Sequence, residues 1–175
     1  GDRIGFFNFR ANITKEWRLI PGSSPFKLSN DTFGNIWFTE SGRNRIAKLN
    51  PYTNEVTEYL IPTPDAQPYG IFVDKYNNVW FTEHGNNKIG RLIPGINRFV
   101  EYARPTGGAG WDIQYNGFPT SPDGRLWFTD DIGSRVGRLD PDVATSSMTV
   151  TTIPTAQTSL STATTLGSST MTSVS

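Results

Sequence analysis

The chain has 175 residues, with 16 Lys plus Arg against 16 Asp plus Glu, no cysteine, and 13% aromatic residues that include five Trp. Balanced charge offers no field of one sign to recruit nucleic acid or an anionic membrane. No apolar run approaches the ~20 residues of a membrane helix, and without cysteine there are neither disulfides nor thiolate metal sites.

The chain opens with two short strand-like segments, "RIGFFNF" and "NITKEWRLI". It starts at Gly1 without Met and shows no signal peptide, so its start is expected to be processed or truncated. Next comes "NIWFTESGRNRIAKL" at residues 35–49, then "NVWFTEHGNNKIGRL" at 78–92 and "RLWFTDDIGSRVGRL" at 125–139. The same text is written three times. Trp37, Trp80 and Trp127 are spaced by 43 and 47, as are Ile46, Ile89 and Val136, and Ile4 precedes Ile46 by 42. Self-similarity at such a period marks a repeat architecture.

The second copy shows the unit. "YGIFVD" (69–74), "NVWFTE" (78–83), "KIGRLIP" (88–94) and "RFVEYARP" (98–105) are rich in β-branched and aromatic residues. "KYNN", "HGNN" and "GIN" separate them and carry turn chemistry. Four strands per period of about 40–50 residues is one blade of a β-propeller, its strands A to D running from inside to outside. Tyr69 and Glu83 are symmetric about residue 76, which predicts that they face each other in the A–B hairpin; Phe26 and Glu40 repeat that spacing about residue 33. Along strand B the Trp and Thr point to one face and the Phe and Glu to the other. Each large ring then serves one blade-to-blade interface, which predicts Trp37, Trp80 and Trp127 at equivalent buried positions.

The third repeat differs. "WDIQYNGFPTSPDGRLWFTD" spaces Trp111 and Asp130 by 19 positions instead of 14, which predicts an insertion in or before strand A. The strand count is three and a half blades: a half blade at 1–21 and blades at 22–63, 64–106 and 107–155. Propellers close with four to eight blades. The exposed blade faces are therefore expected to be covered by further blades of the same polypeptide or by other copies of the chain. Residues 156–175 are nearly all Ser, Thr and small residues, which predicts a disordered or extended tail or linker.

The repeat "P-x-G-I … N-x-W-F-T-E … N-x-I-G-R-L-x-P … E-Y-x-I-P-T-P" over residues 1–155 resembles the virginiamycin B lyase (streptogramin B lyase) family. That resemblance implies a seven-bladed propeller whose characterised members open a macrolactone ester by Mg²⁺-assisted elimination. It also implies an active site of histidines in "P-H-G-I", a Glu two residues earlier and the Glu ending "W-F-x-E". Here those positions read Pro68-Tyr69-Gly70-Ile71 and Pro25-Phe26-Lys27-Leu28, with Gln67 and Ser24 in the place of the earlier Glu. Phe26 can neither bind metal nor move a proton, and Tyr69, with a reference pKa of about 10, is a poor base at neutral pH.

The terminal acids remain, as Glu40, Glu83 and Asp130. They are expected at one end of neighbouring B strands. The plain structural reading is that each accepts hydrogen bonds from turn N–H groups. His84, the only histidine, follows Glu83 and has Ser41 and Asp131 as counterparts. Lacking a second His or Cys nearby, it reads as a turn residue rather than a metal ligand. Glu40, Tyr69, Glu83, His84, Asp130 and Asp131 are the candidates for a binding face. Asn12 and Asn30 head N-x-[ST] sequons and, with the Ser/Thr tail, point to a secreted or cell-surface glycoprotein. The expected function is a non-catalytic structural or binding propeller that needs no cofactor. The alternative is a Mg²⁺-dependent carbon–oxygen lyase whose catalytic residues lie outside this segment.

Overall fold

The computed structural model describes residues 1–104, 126–130, 135–139 and 148–152. The described strands are all antiparallel, and the described turns between them include single turns of 3₁₀ helix. β1 (Arg3–Asn8) and β2 (Ile13–Arg18) form a two-stranded sheet. β3 (Pro25–Asn30), β4 (Ile36–Glu40), β5 (Arg45–Asn50) and β6 (Glu55–Leu60) form the first four-stranded sheet. β7 (Pro68–Val73), β8 (Val79–Glu83), β9 (Lys88–Ile93) and β10 (Arg98–Ala103) form the second. β11 (Leu126–Asp130), β12 (Arg135–Leu139) and β13 (Met148–Thr152) form a three-stranded sheet. Strands adjacent in sequence are adjacent in each sheet, and the sheets pack face to face as consecutive propeller blades. The expected insertion near strand A of the third repeat and the Ser/Thr tail lie outside the described residues. Among the described residues no helix is long and apolar enough to cross a membrane.

Asparagine and aspartate build the turns. Asn8 Oδ1 accepts the N–H groups of Arg10 and Ala11, and Asn50 Oδ1 those of Tyr52 and Thr53. Each of the three described C–D turns ends on an asparagine with positive φ, Asn12, Asn54 or Asn97, a conformation asparagine tolerates better than most residues.

Strand B sets the interfaces. Trp37 points forward and packs with Ile71, Val73 and Phe81 of the next blade, while Phe38 points back and packs with Ile4. Trp80 packs forward with Leu126, Phe128 and Leu139. The alternation read from the sequence is thus realised as ring-to-blade packing. Trp127 is the exception to its expected burial. It is 44% exposed, against 2% for Trp37 and 3% for Trp80, because no described blade lies in front of it.

The A–B register also differs from the expectation at one end. Ile71 pairs with Phe81 and Phe72 with Trp80, as symmetry about residue 76 requires. Beyond them a bulge shifts the ladder, so Pro68 and not Tyr69 lies opposite Glu83; Pro25 and not Phe26 lies opposite Glu40. A side-chain hydroxyl stabilises each bulge. Gly70 N–H donates to Thr82 Oγ1 at 2.8 Å, and Lys27 N–H to Thr39 Oγ1 at 3.2 Å.

Candidate functional site

In the two four-stranded blades the D–A connection and the B–C turn dock through their backbones. His84 N–H donates to the Gln67 carbonyl at 3.3 Å and Gly85 N–H to that of Ala66 at 3.0 Å; Ser41 and Gly42 repeat this with Ser24 and Ser23 at 3.3 and 3.2 Å. A Cβ at Gly85 would collide with the Asp65 carbonyl, so the approach depends on glycine. Ser24 and Gln67 occupy equivalent positive-φ positions at 46° and 47°.

This docking brings Phe26, Tyr69, Ser24, Gln67, Ser41 and His84 around one open depression of about 540 Å³. The bulges turn Phe26 and Tyr69 together, their ring centroids 3.7 Å apart and their planes tilted by 32°. His84 opens the 3₁₀ turn His84–Asn86, and its ring centroid is 6.0 Å from that of Tyr69. Among the described residues no Asp, Glu, Lys or Arg belongs to the lining.

Glu40 and Glu83 end β4 and β8 but are buried between blades rather than presented on a face. They do not cap the turns, contrary to the expectation: neither carboxylate accepts from the N–H groups of the turn that follows it. Burial pushes Glu83 up to about 7, the Glu101 charge adds to this, and Lys88 and Thr63 pull the other way. Burial likewise raises Glu40, against the pull of Ser23. Glu101 accepts from Thr63 N–H at 3.2 Å, Thr63 Oγ1–H at 2.7 Å and Lys88 Nζ at 3.0 Å. Burial opposes its ionised form, but these donors outweigh burial and hold it below the usual glutamate range. Asp130 ends β11 with Arg135 as its backbone register partner, and Asp131 lies outside the described residues.

The sequence candidates therefore separate. Tyr69 and His84 meet at the depression, while Glu40 and Glu83 lie beneath the surface. Phe26, Ser24 and Ser41 join the lining without having been candidates; their signal was their position in the repeat opposite Tyr69, Gln67 and His84. Among the described residues no three His, Asp or Glu side chains converge to hold a metal ion.

The family model for virginiamycin B lyase matches residues 1–168. The chain belongs to the virginiamycin B lyase family. A solved streptogramin B lyase structure is 30% identical, with a TM-score of 0.75 over 87% of this chain and 48% of that one. A catalytically inactive histidine-to-alanine virginiamycin B lyase from Staphylococcus aureus with quinupristin is 32% identical, with a TM-score of 0.74 over 89% of this chain and 50% of that one. The chain thus spans about half the length of these lyase structures. Comparison with functionally curated proteins gave no match.

Proposed function

We propose that these virginiamycin B lyase-like blades act as a non-catalytic binding or structural module, secreted or held at the cell surface. The observation that carries this reading is the close, tilted Phe26–Tyr69 pair at two positions where the family resemblance implies histidine. In the Staphylococcus aureus relative, replacing one histidine leaves the enzyme catalytically inactive. An aromatic pair framed by Ser24, Ser41, Gln67 and His84 offers an apolar platform edged by polar hydrogen-bonding groups, which suits binding better than proton abstraction. Exposure of both sequon asparagines, Asn12 and Asn30, supports a glycosylated location.

Incubation with a streptogramin B and Mg²⁺, followed by mass spectrometry of the macrocycle, tests the reading. The expected result is no ring opening above a metal-free control. Mg²⁺-dependent opening would favour the second reading, a lyase with its catalytic residues elsewhere, for which family membership and the buried acids Glu40 and Glu83 speak. Intact mass of native protein before and after N-glycosidase tests the location, with loss of one or two glycans expected.

A further inference from the structure

The up-and-down strand order sends successive turns of a blade to its two ends in alternation. The A–B and C–D turns share one end; the B–C turns, which line the depression, share the other. At the first end every described turn carries a large apolar side chain: Phe9, Phe33, Tyr52, Tyr76 and Ile96. These five are between 67% and 82% exposed, more than any other large apolar side chain among the described residues. The described B–C turns, 41–44 and 84–87, carry none. Single exposed apolar residues are ordinary, but their concentration at one end is not.

The turns are tied to one another. Thr32 N–H and Oγ1–H both donate to Asn77 Oδ1 at 3.0 Å, which joins the A–B turns of neighbouring blades. Lys15 Nζ and Trp17 Nε1 donate to Asn54 Oδ1 at 2.6 and 3.0 Å, which joins β2 to the next C–D turn. The Tyr52 ring leans on Gly34, beside Phe33. Charge is sorted as well. It balances over the whole chain but not here: Arg10, Lys75 and Arg98 are exposed in or next to these turns, while Asp31 and Asp74 are buried within them and Glu55 is the exposed acid. Two of the cations sit by rings, Arg10 at 5.8 Å from the Phe9 centroid and Lys75 Nζ at 5.0 Å from that of Tyr76.

We propose that this end of the blades lies on an anionic lipid surface, with the five apolar tips among the headgroups and Arg10, Lys75 and Arg98 against the lipid charges. Separate tips on convex turns suit a fluid interface that closes around each of them, whereas a folded partner needs a socket for each. Aromatic rings with a cation alongside are the pairing that the water–lipid boundary favours. A second copy seated on the same end brings Arg10, Lys75 and Arg98 towards their own kind. The depression then faces away from the lipid, so the inference is independent of what the depression binds. Asn12 shares the turn of Phe9 and Asn30 precedes Asp31, so a glycan on either holds this end off the lipid; glycosylation and docking are alternatives.

Co-sedimentation of glycan-free protein with vesicles of phosphatidylcholine and phosphatidylserine in equal parts tests this. Binding is expected at low salt, weakening as salt is added and much weaker on phosphatidylcholine alone. Phe33→Ser combined with Tyr76→Ser should lower the partition coefficient by roughly tenfold or more. Lys75→Glu combined with Arg98→Glu should remove the salt-sensitive part. Both variants should keep the wild-type thermal midpoint, because the substituted side chains are exposed. Leu60→Ser, at an exposed apolar residue of the opposite end, should leave binding unchanged. Glycan-free protein that stays in the supernatant would overturn the proposal, as would equal binding to neutral vesicles or an equal loss on Leu60→Ser. So would self-association that Phe33→Ser with Tyr76→Ser abolishes, since a second copy would then cover this end.

Discussion

Trp80 Nε1 donates to Asp74 Oδ2 at 3.0 Å, and the same carboxylate closes the turn that leads into strand β8. Asp74 also accepts from Tyr76 N–H, Asn78 N–H and Asn78 Nδ2 at 2.9, 2.9 and 2.8 Å. Asp31 makes the same four bonds with Phe33, Asn35 and Trp37. One buried carboxylate thus fixes both the A–B turn and the indole that fills the next interface.

Asp74→Ala is therefore expected to cost about 2–4 kcal/mol, because it strands buried donors and leaves the turn unformed. Asp74→Asn is expected to be only partly better, since its NH₂ group meets N–H donors. Urea denaturation of the two variants measures this; a loss below about 1 kcal/mol for alanine would show that water replaces the carboxylate.

Glu83 predicts a pH dependence. Burial pushes its carboxyl up to about 7 in the folded protein, well above the ordinary glutamate value. Its contribution is fully present below the unfolded value and is lost as pH rises through about 7, with Glu40 acting in the same sense. Glu101 and Asp31 act oppositely, their stabilisation being lost on acidification below the ordinary carboxylate range. Thermal midpoints are expected to be higher near pH 5.5 than near pH 8.5, with a difference of about 2 kcal/mol. Glu83→Gln should flatten that slope and raise the midpoint at pH 8.5. A wild-type profile rising through neutrality would contradict the assignment.

The three repeat tryptophans should behave unequally. Trp80→Phe removes a buried indole and its bond to Asp74, with an expected cost of about 2–3 kcal/mol. Trp127→Phe acts at an exposed ring and should cost less than about 1 kcal/mol. Acrylamide quenching of single-Trp variants should rank Trp127 well above Trp37 and Trp80. Equal protection of all three would mean that something covers the front of the last blade.

The blade was legible because its largest side chains alternate: Trp37-Phe38 and Trp80-Phe81 can only serve two opposite faces of one strand. The A–B pairing was legible near the turn, where backbone symmetry governs it. It failed at Tyr69, because Thr82 satisfies Gly70 N–H with a side-chain hydroxyl and so releases the ladder by one residue. That same slip brings Phe26 and Tyr69 into contact, which a strict register hides. The acids were misread for a related reason. Turn acids usually meet backbone donors, but in these B–C turns the N–H groups of Ser41, Gly42, His84 and Gly85 are taken by the D–A connection. The pattern D-x-x-x-N-x-W, present at Asp31 and Asp74, was visible in the sequence and was the signal for the indole clamp.

One repeat position also allows burial to be separated from charge. Arg3, Arg45 and Lys88 are equivalent first residues of strand C, and each faces a glutamate of strand D. Arg3 and Glu16 are about half exposed, so Arg3→Met should cost less than about 0.5 kcal/mol and be screened by salt. Lys88 is more enclosed, and it counters two acids at once, Glu101 at 3.0 Å and the buried Glu83. Lys88→Met is expected to cost about 2–3 kcal/mol near neutral pH, because it leaves like charges facing each other with no cation between them. The same substitution in a Glu83→Gln background should cost clearly less, since one of the two acids is then neutral. Chemical denaturation of the four proteins in this cycle measures the coupling. Additive costs would show that Lys88 serves Glu101 alone and that Glu83 is protonated throughout the pH range tested.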